Sequence, residues 1–127
     1  MQYGFSKTVN LSYEQTIEKV TDELKKEGFG VLTTIDVRET LKKKLDVDFK
    51  KYVILGACNP PFAHKALQAE EEIGLLLPCN VIVYEKNGHA AVSIFNPMIM
   101  MQILDNEGMK PIAIEITQRL ERVLAAV

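Results

Sequence analysis

The sequence predicts a two-layer α+β domain in which a five-stranded antiparallel sheet carries its helices mainly on one face. Two observations predict this class. Apolar residues alternate with polar ones in some segments and recur at helical spacing in others. The predicted order is strand, helix, strand, short helix, strand, helix, two hairpin strands and two closing helices. This order lacks the strict β/α alternation of a doubly wound fold.

Length and composition restrict the class of protein further. The chain has 127 residues, of which 47% are hydrophobic and 25% charged, so a single globular domain over residues 1–127 is expected. The net charge of −2 argues against a nucleic-acid partner, because no overall positive field attracts a polyanion. No apolar run approaches the about 20 residues of a membrane span, and no secretory signal is visible. We therefore expect a soluble, cytoplasmic protein with no membrane partner.

The first two elements are a strand and a helix. Alternation over residues 3–11 predicts the strand, and Lys7 interrupts its apolar side in the manner of an edge strand. Ser12 and Gln15 match the capping box that begins a helix. Gly28 is well placed to end that helix in a left-handed conformation.

The middle of the chain predicts two more strands, each followed by a helix. Strict alternation over residues 29–37 predicts the second strand, and a short basic helix follows over residues 38–45. The apolar segment 52–58 predicts the third strand. Pro60 and Pro61 break this strand and suit a helix start, where proline is well tolerated.

The second half of the chain predicts a hairpin and two closing helices. An apolar connector over residues 73–78 leads to strands at residues 80–85 and 90–95, joined by the strong Asn87-Gly88 turn signal. A methionine-rich helix then extends to about residue 104. Apolar residues at helical spacing from Ile112 onward mark the last helix, which we expect to share one sheet face with the first.

The distinctive chemistry lies in two cysteine-containing segments, residues 56–61 and 74–80. The sequence has no nucleophile elbow, P-loop, dinucleotide fingerprint or paired metal-ligand motif. Each of the two segments instead carries a cysteine followed by an asparagine at a junction between a strand and a loop. If the helix between the segments returns the chain, both lie at one end of the sheet.

These segments predict a small-ligand pocket at that end of the sheet. Cys58 and Cys79 would line it, the helix that begins near Pro60 would supply N–H donors, and Asn59 and Asn80 would orient the ligand. The candidate ligand-binding residues are Cys58, Asn59, Pro60, His64, Cys79 and Asn80. The sequence leaves the ligand, any cofactor and any reaction open.

Other functions stay open for the same residues. Cys58 at a helix start, with His64 as its base, would suit a thiol redox protein or a cysteine-nucleophile enzyme. Cys58, Cys79 and His64 would instead provide three ligands for a soft metal ion. Both cysteines would equally suit core packing, and Asn59 would suit a helix cap. The methionines at 98–101 would suit a partner-binding face.

The cysteine segments also carry a resemblance to a known family. Gly-Ala-Cys-Asn-Pro at residues 56–60, the helix with His64, and Ile-Gly-Leu-Leu-Leu-Pro-Cys-Asn at residues 73–80 resemble small bacterial and archaeal proteins catalogued only as a domain of unknown function, number 302. The resemblance covers nearly the whole chain. It implies a curved antiparallel sheet like half of the TATA-box-binding protein, and a homodimer. It implies no activity, and a shared fold would not transfer DNA binding.

Overall fold

The structure, a computed structural model, describes residues 1–127 and has the predicted order of elements. The strands are Gly4–Val9 (β1), Gly30–Asp36 (β2), Tyr52–Cys58 (β3), Cys79–Lys86 (β4) and His89–Phe95 (β5). The helices are Tyr13–Lys26 (α1), Val37–Leu45 (α2), Pro60–Ala69 (α3), Met100–Ile103 (α4) and Lys110–Ala126 (α5), with short 3-10 helices at Glu71–Leu76, Pro97–Ile99 and Glu107–Met109. The predicted α+β class is confirmed.

All five strands form one open antiparallel sheet in the order β1-β5-β4-β3-β2. β1 and β2 are its two edges, as the charge of Lys7 indicated for β1. The predicted hairpin joins β4 to β5, and Asn87 and Gly88 have φ angles of 51° and 80°. Two successive positive φ angles are typical of the tight turn that matches the twist of a hairpin.

One face of the sheet carries most of the buried residues. Leu55, Val81 and Val92 from the three inner strands pack with Leu24 of α1 and Leu120 of α5, and all five are at most 2% exposed. We call the cluster of 16 buried residues that includes them the main core. The prediction that the first and last helices cover one sheet face together is therefore confirmed.

The predicted signals at the ends of α1 are present. The Ser12 hydroxyl accepts the N–H of Gln15 at 3.1 Å, and the Gln15 side chain accepts the N–H of Ser12 at 3.2 Å, which completes the capping box. Gly28 follows the helix with a φ of 86°. A contact that the sequence did not indicate is made by Lys7, whose ammonium donates to the carbonyl oxygen of Val127 at 2.6 Å.

The second strand departs from the predicted strict alternation. Its register against β3 shifts between Val31 and Thr33, which leaves Leu32 as an extra residue that is 67% exposed. Because a bulge adds one residue to the strand, the side chains after it point to the sheet face opposite the one that strict alternation predicts. Ile35 therefore pairs with Ile54 on the sheet face opposite the main core, and no residue of β2 is buried.

The segments predicted as a connector and a methionine-rich helix are also different in detail. The connector lies largely in the 3-10 helix Glu71–Leu76, and the predicted helix is a 3-10 turn followed by the single turn of α4. Asn96-Pro97 starts this region, and the Asn96 side chain accepts the N–H of Met98 at 3.0 Å. A second group of buried side chains forms here, which we call the cavity cluster: Ala66, Ile73, Met100 and Met109.

Candidate functional site

A cavity opens at the end of the sheet where β3 ends and β4 begins. Its volume is about 310 Å³, which falls at the lower end of the roughly 300–1,000 Å³ typical of small-molecule pockets. The walls come from this end of the sheet, α3, the 3-10 helix Glu71–Leu76, the α4 region and the first half of α5. Both cysteine-containing segments contribute to the walls.

The wall of the cavity is apolar throughout. Fifteen of its 18 lining residues are hydrophobic, and the other three are Gly74, Pro78 and Pro97. No lining side chain carries a nitrogen or oxygen atom, and the heteroatoms are the sulfurs of two cysteines and two methionines. A ligand in this cavity is therefore stabilised by burial of its apolar surface and receives no hydrogen bond from a side-chain N–H or O–H.

Several wall residues also reach the solvent and mark a mouth. Leu32 is 67% exposed and Leu67 is 45% exposed, and both line the cavity. Cys58 and Phe62, which line it as well, are half-buried. A ligand can therefore reach the cavity without separation of the sheet from α1 and α5.

The structure brings Cys58 and Cys79 to this one cavity. Cys79 lies directly opposite Ala57 in the β3–β4 pair, so the two cysteines belong to neighbouring positions on adjacent strands. Both are free thiols; Cys79 is buried and Cys58 is half-buried. Burial raises the pKa of Cys58, and burial together with the nearby Cys58 raises the pKa of Cys79 to about 12.

This environment does not favour a reactive thiol. The nucleophile in cysteine chemistry is the thiolate, which needs a lowered pKa, whereas both pKa values here are raised. His64 is exposed on α3 and is not among the residues that line the cavity. No group of three His, Cys, Asp or Glu side chains is positioned to hold a metal ion, and the predicted set of Cys58, Cys79 and His64 does not assemble.

The polar candidates of the two segments lie outside the cavity wall. Asn59 is buried, but its amide donates to the carbonyl of Glu27 at 3.3 Å and makes no capping bond to α3. Asn80 is exposed and borders a separate depression. Pro60 is exposed, and Pro60 and Pro61 occupy the first turn of α3. Because proline has no N–H, two of the expected anion-binding donors are missing.

Asn59 belongs to a polar network that holds α3 beside α1 and α5. The carbonyl of Glu27 also accepts from Arg119 at 3.0 Å, and the Arg119 guanidinium lies 5.2 Å from the ring centre of Phe62. The Glu27 carboxylate accepts from Arg122 at 2.8 Å, and this contact lowers the pKa of Glu27. The network therefore fixes the position of Phe62 in the cavity wall.

Sequence reasoning missed the part of the wall that comes from remote segments. Leu32, Met100 and Met109 line the cavity, as do Ile112, Ala113 and Ile116 of α5. The helical spacing of the last three residues was a signal for a buried face. Nothing in the spacing indicated that this face borders a cavity rather than the sheet.

Fold and site together define a small α+β protein with an apolar cavity at one end of an open sheet. The chain belongs to the family described as Domain of unknown function DUF302, whose model matches residues 5–127. The predicted resemblance is therefore confirmed, and the description of the family assigns no activity.

A solved structure of the same family is similar over almost its whole length. It is the crystal structure of an uncharacterized conserved DUF302 protein from Bacillus stearothermophilus, with a TM-score of 0.91 and 33% sequence identity over 99% of this chain and 98% of that one. No curated protein matches the chain. In addition, no helix has the length and apolar character needed to traverse a bilayer.

Proposed function

We propose that this protein binds a small molecule with an apolar body in the cavity at the end of the sheet. The observation that carries the proposal is a cavity of about 310 Å³ with an accessible mouth and no nitrogen or oxygen in its lining side chains. An apolar protein cavity of about 150 Å³ holds one benzene molecule. The cavity described here offers roughly twice that volume.

In this proposal Cys58 and Cys79 act as small, neutral groups of the wall. Their raised pKa values keep both thiols protonated at neutral pH, and a protonated thiol packs as a small hydrophobic group. Asn59 acts indirectly by holding the start of α3 through Glu27. Direct ligand contacts from Pro60, His64 and Asn80 have no support in the arrangement of the wall.

A fluorescence titration with N-phenyl-1-naphthylamine, an uncharged apolar dye, tests the proposal. We expect saturable enhancement of dye fluorescence by the native protein. Ala63→Trp places a large side chain at a half-buried position of the wall and should weaken dye binding at least about ten-fold, or about 1.4 kcal/mol. Ala69→Trp is the matched control, because Ala69 lies on the same helix, is exposed and does not line the cavity.

The outcome distinguishes a cavity site from general surface binding. Dye binding that is absent in the native protein, or that survives Ala63→Trp unchanged, would contradict the proposal. Equal loss in both tryptophan variants would contradict it as well. Circular dichroism of each variant checks that the substitution has left the fold intact.

We also propose that the protein is a homodimer and that it is located in the cytoplasm. The family resemblance implies a homodimer, and partly exposed Tyr52, Ile54, Ile82 and Tyr84 on the face opposite the main core are compatible with a partner there. Light scattering should give about twice the 14.3 kDa of one chain; a monomer mass would contradict this. Two free thiols are consistent with a reducing, cytoplasmic compartment.

A further inference from the structure

We propose that the ligand is an amphipathic anion, namely a carboxylate with one medium-length hydrocarbon chain. The chain would occupy the cavity and the carboxylate would stay at the mouth, beside Lys65 of α3. This inference rests on the proposed function, because it requires that the cavity binds a ligand at all. It adds the chemical class of the ligand and the residue that selects it.

The apolar wall of the cavity determines where a polar group of the ligand can lie. None of its side chains offers an N–H or O–H donor, and the two thiols are only weak hydrogen-bonding groups. Burial of a poorly paired polar group is therefore unfavourable. A charged head inside the cavity would cost still more. Any ligand with a polar group therefore keeps that group at the mouth, in contact with water.

Two cations lie beside the wall residue Phe62. Phe62 lines the cavity and is half-buried, so it belongs to the mouth. The Lys65 ammonium lies 5.3 Å from the centre of its ring, and the Arg119 guanidinium lies 5.2 Å from the same centre. Neither cation lines the cavity itself, so both lie outside the apolar wall, next to one of its half-buried residues.

Lys65 is the cation whose charge is uncompensated. Arg119 forms an ion pair with Glu115 at 3.0 Å and also donates to the carbonyl of Glu27. Lys65 is exposed and takes part in none of the ion pairs of the structure. Its ammonium keeps three N–H donors free for an incoming anion. Lys65 can therefore pair directly with a negative head group. Because Glu71 and Glu72 begin the neighbouring 3-10 helix, the preference for an anion depends on this contact and not on the summed charge around the mouth.

Displacement of bound N-phenyl-1-naphthylamine by three amphiphiles with the same hydrocarbon chain tests the inference. The amphiphiles are decanoate, decanol and decyltrimethylammonium. At low salt we expect decanoate to displace the dye at about three- to five-fold lower concentration than decanol, in line with an exposed ion pair. The cation should be the weakest competitor, and added salt should reduce the differences.

Matched lysine variants assign the preference to a residue. Lys65→Met removes the charge but keeps an unbranched side chain on Phe62, and it should make decanoate and decanol equal competitors. Lys86→Met is the control, because it changes the net charge equally but lies at the other end of β4, exposed and without an ion pair. It should leave the preference for decanoate unchanged.

The possible results separate this inference from the proposed function. If the dye binds but the three amphiphiles compete equally, the anion inference is overturned and the cavity site stands. The inference is overturned as well if both lysine variants change the preference equally, or if neither does. If neither the dye nor any amphiphile binds, the proposed function itself fails.

Discussion

The main core and the cavity cluster differ in how completely they are filled. The main core packs long elements, the 14 residues of α1 and the 17 of α5, against the sheet, and Leu24 and Leu120 are wholly buried. The cavity cluster lies beside a space of about 310 Å³. Since protein interiors are normally packed like organic crystals, this difference indicates that stability comes mainly from the first region. In the proposed function, the second region binds the ligand.

The lengths of the elements explain the difference. Apart from the sheet and the first half of α5, the cavity is enclosed by α3 with 10 residues, α4 with four and 3-10 helices of three to six. α3 has one buried residue, Ala66, whose small side chain fills little space. Short helices interrupted by proline and glycine place few large side chains in the space that they enclose. The end of the sheet that they cover therefore remains incompletely packed.

Truncation of one leucine in the main core and one at the mouth of the cavity tests the comparison with the largest expected effect. Leu24→Ala removes a fully buried side chain and should lower the free energy of unfolding by about 2–5 kcal/mol, as in other cores. Leu67→Ala, at the mouth and 45% exposed, should cost less than about 1 kcal/mol. Urea denaturation measures both. Equal losses would show that the two regions do not differ in this way.

Gly56→Ala tests how tightly the sheet face opposite the main core is packed at the end of the sheet that borders the cavity. A Cβ at Gly56 would lie 2.8 Å from Cγ of Pro78 and closer still to Oγ1 of Thr33. We expect a loss of about 1–3 kcal/mol from overpacking, measured by thermal or urea denaturation. Thr33→Ala should relieve part of the loss in a double-mutant cycle, while Gly30→Ala, which meets no atom within 4 Å, serves as the neutral control.

The two asparagines that follow the cysteines provide a third test. Asn59→Ala removes the buried amide that donates to the carbonyl of Glu27 and should cost about 1 kcal/mol. Asn80→Ala changes an exposed side chain and should stay within about 0.5 kcal/mol. Chemical denaturation of the two variants under identical conditions checks the contrast. A larger loss at Asn80 would show that Asn59 does not hold α3.

The smallest expected effect is the pH dependence that comes from Cys79. Burial raises its pKa from the ordinary 9.0 to about 12, so the folded state retains a proton that the unfolded chain loses. The resulting stability is fully present below pH 9 and is lost as the pH rises toward 12. At about pH 9 the loss is about 0.4 kcal/mol.

Comparison with a variant isolates this contribution. Between neutral pH and about pH 9, the difference in unfolding free energy between the native protein and Cys79→Ala should decrease by about 0.4 kcal/mol. Urea denaturation at both pH values measures it, and Tyr13, whose pKa is also raised, contributes alike to both proteins. A difference that stays constant or widens would show that the Cys79 thiol is not buried as described.

The order of elements was predictable because local signals agree with the final packing. The Ser12–Gln15 capping box, Gly28 and Asn87-Gly88 each have a local physical cause, and each is found in the structure. The bulge at Leu32 was not predictable, because a register shift depends on the partner strand. Likewise, the broken helix around Met100 depends on packing with residues distant in sequence.

The position of the cavity was predictable from the sequence, but the composition of its wall was not. Both cysteines lie at one end of the sheet because α3 returns the chain between them. The local pattern Cys-Asn occurs twice, yet Asn59 leaves the strand toward the end of α1 while Asn80 continues β4 and is exposed. The same dipeptide therefore has a different role at each position. The apolar wall comes largely from helices that contain neither Cys-Asn dipeptide.

The two outer strands bear on how copies of this chain avoid aggregation. An uncovered strand edge can hydrogen-bond to another chain and seed a growing fibril. At one edge of the sheet, the extra residue Leu32 interrupts the regular hydrogen-bond ladder of β2. At the other edge, the Lys7 ammonium contacts the end of α5, and pairing of β1 with another chain would have to bury this charge. The bulge in β2 and the inward-pointing Lys7 therefore oppose edge-to-edge association of sheets from different copies of the chain.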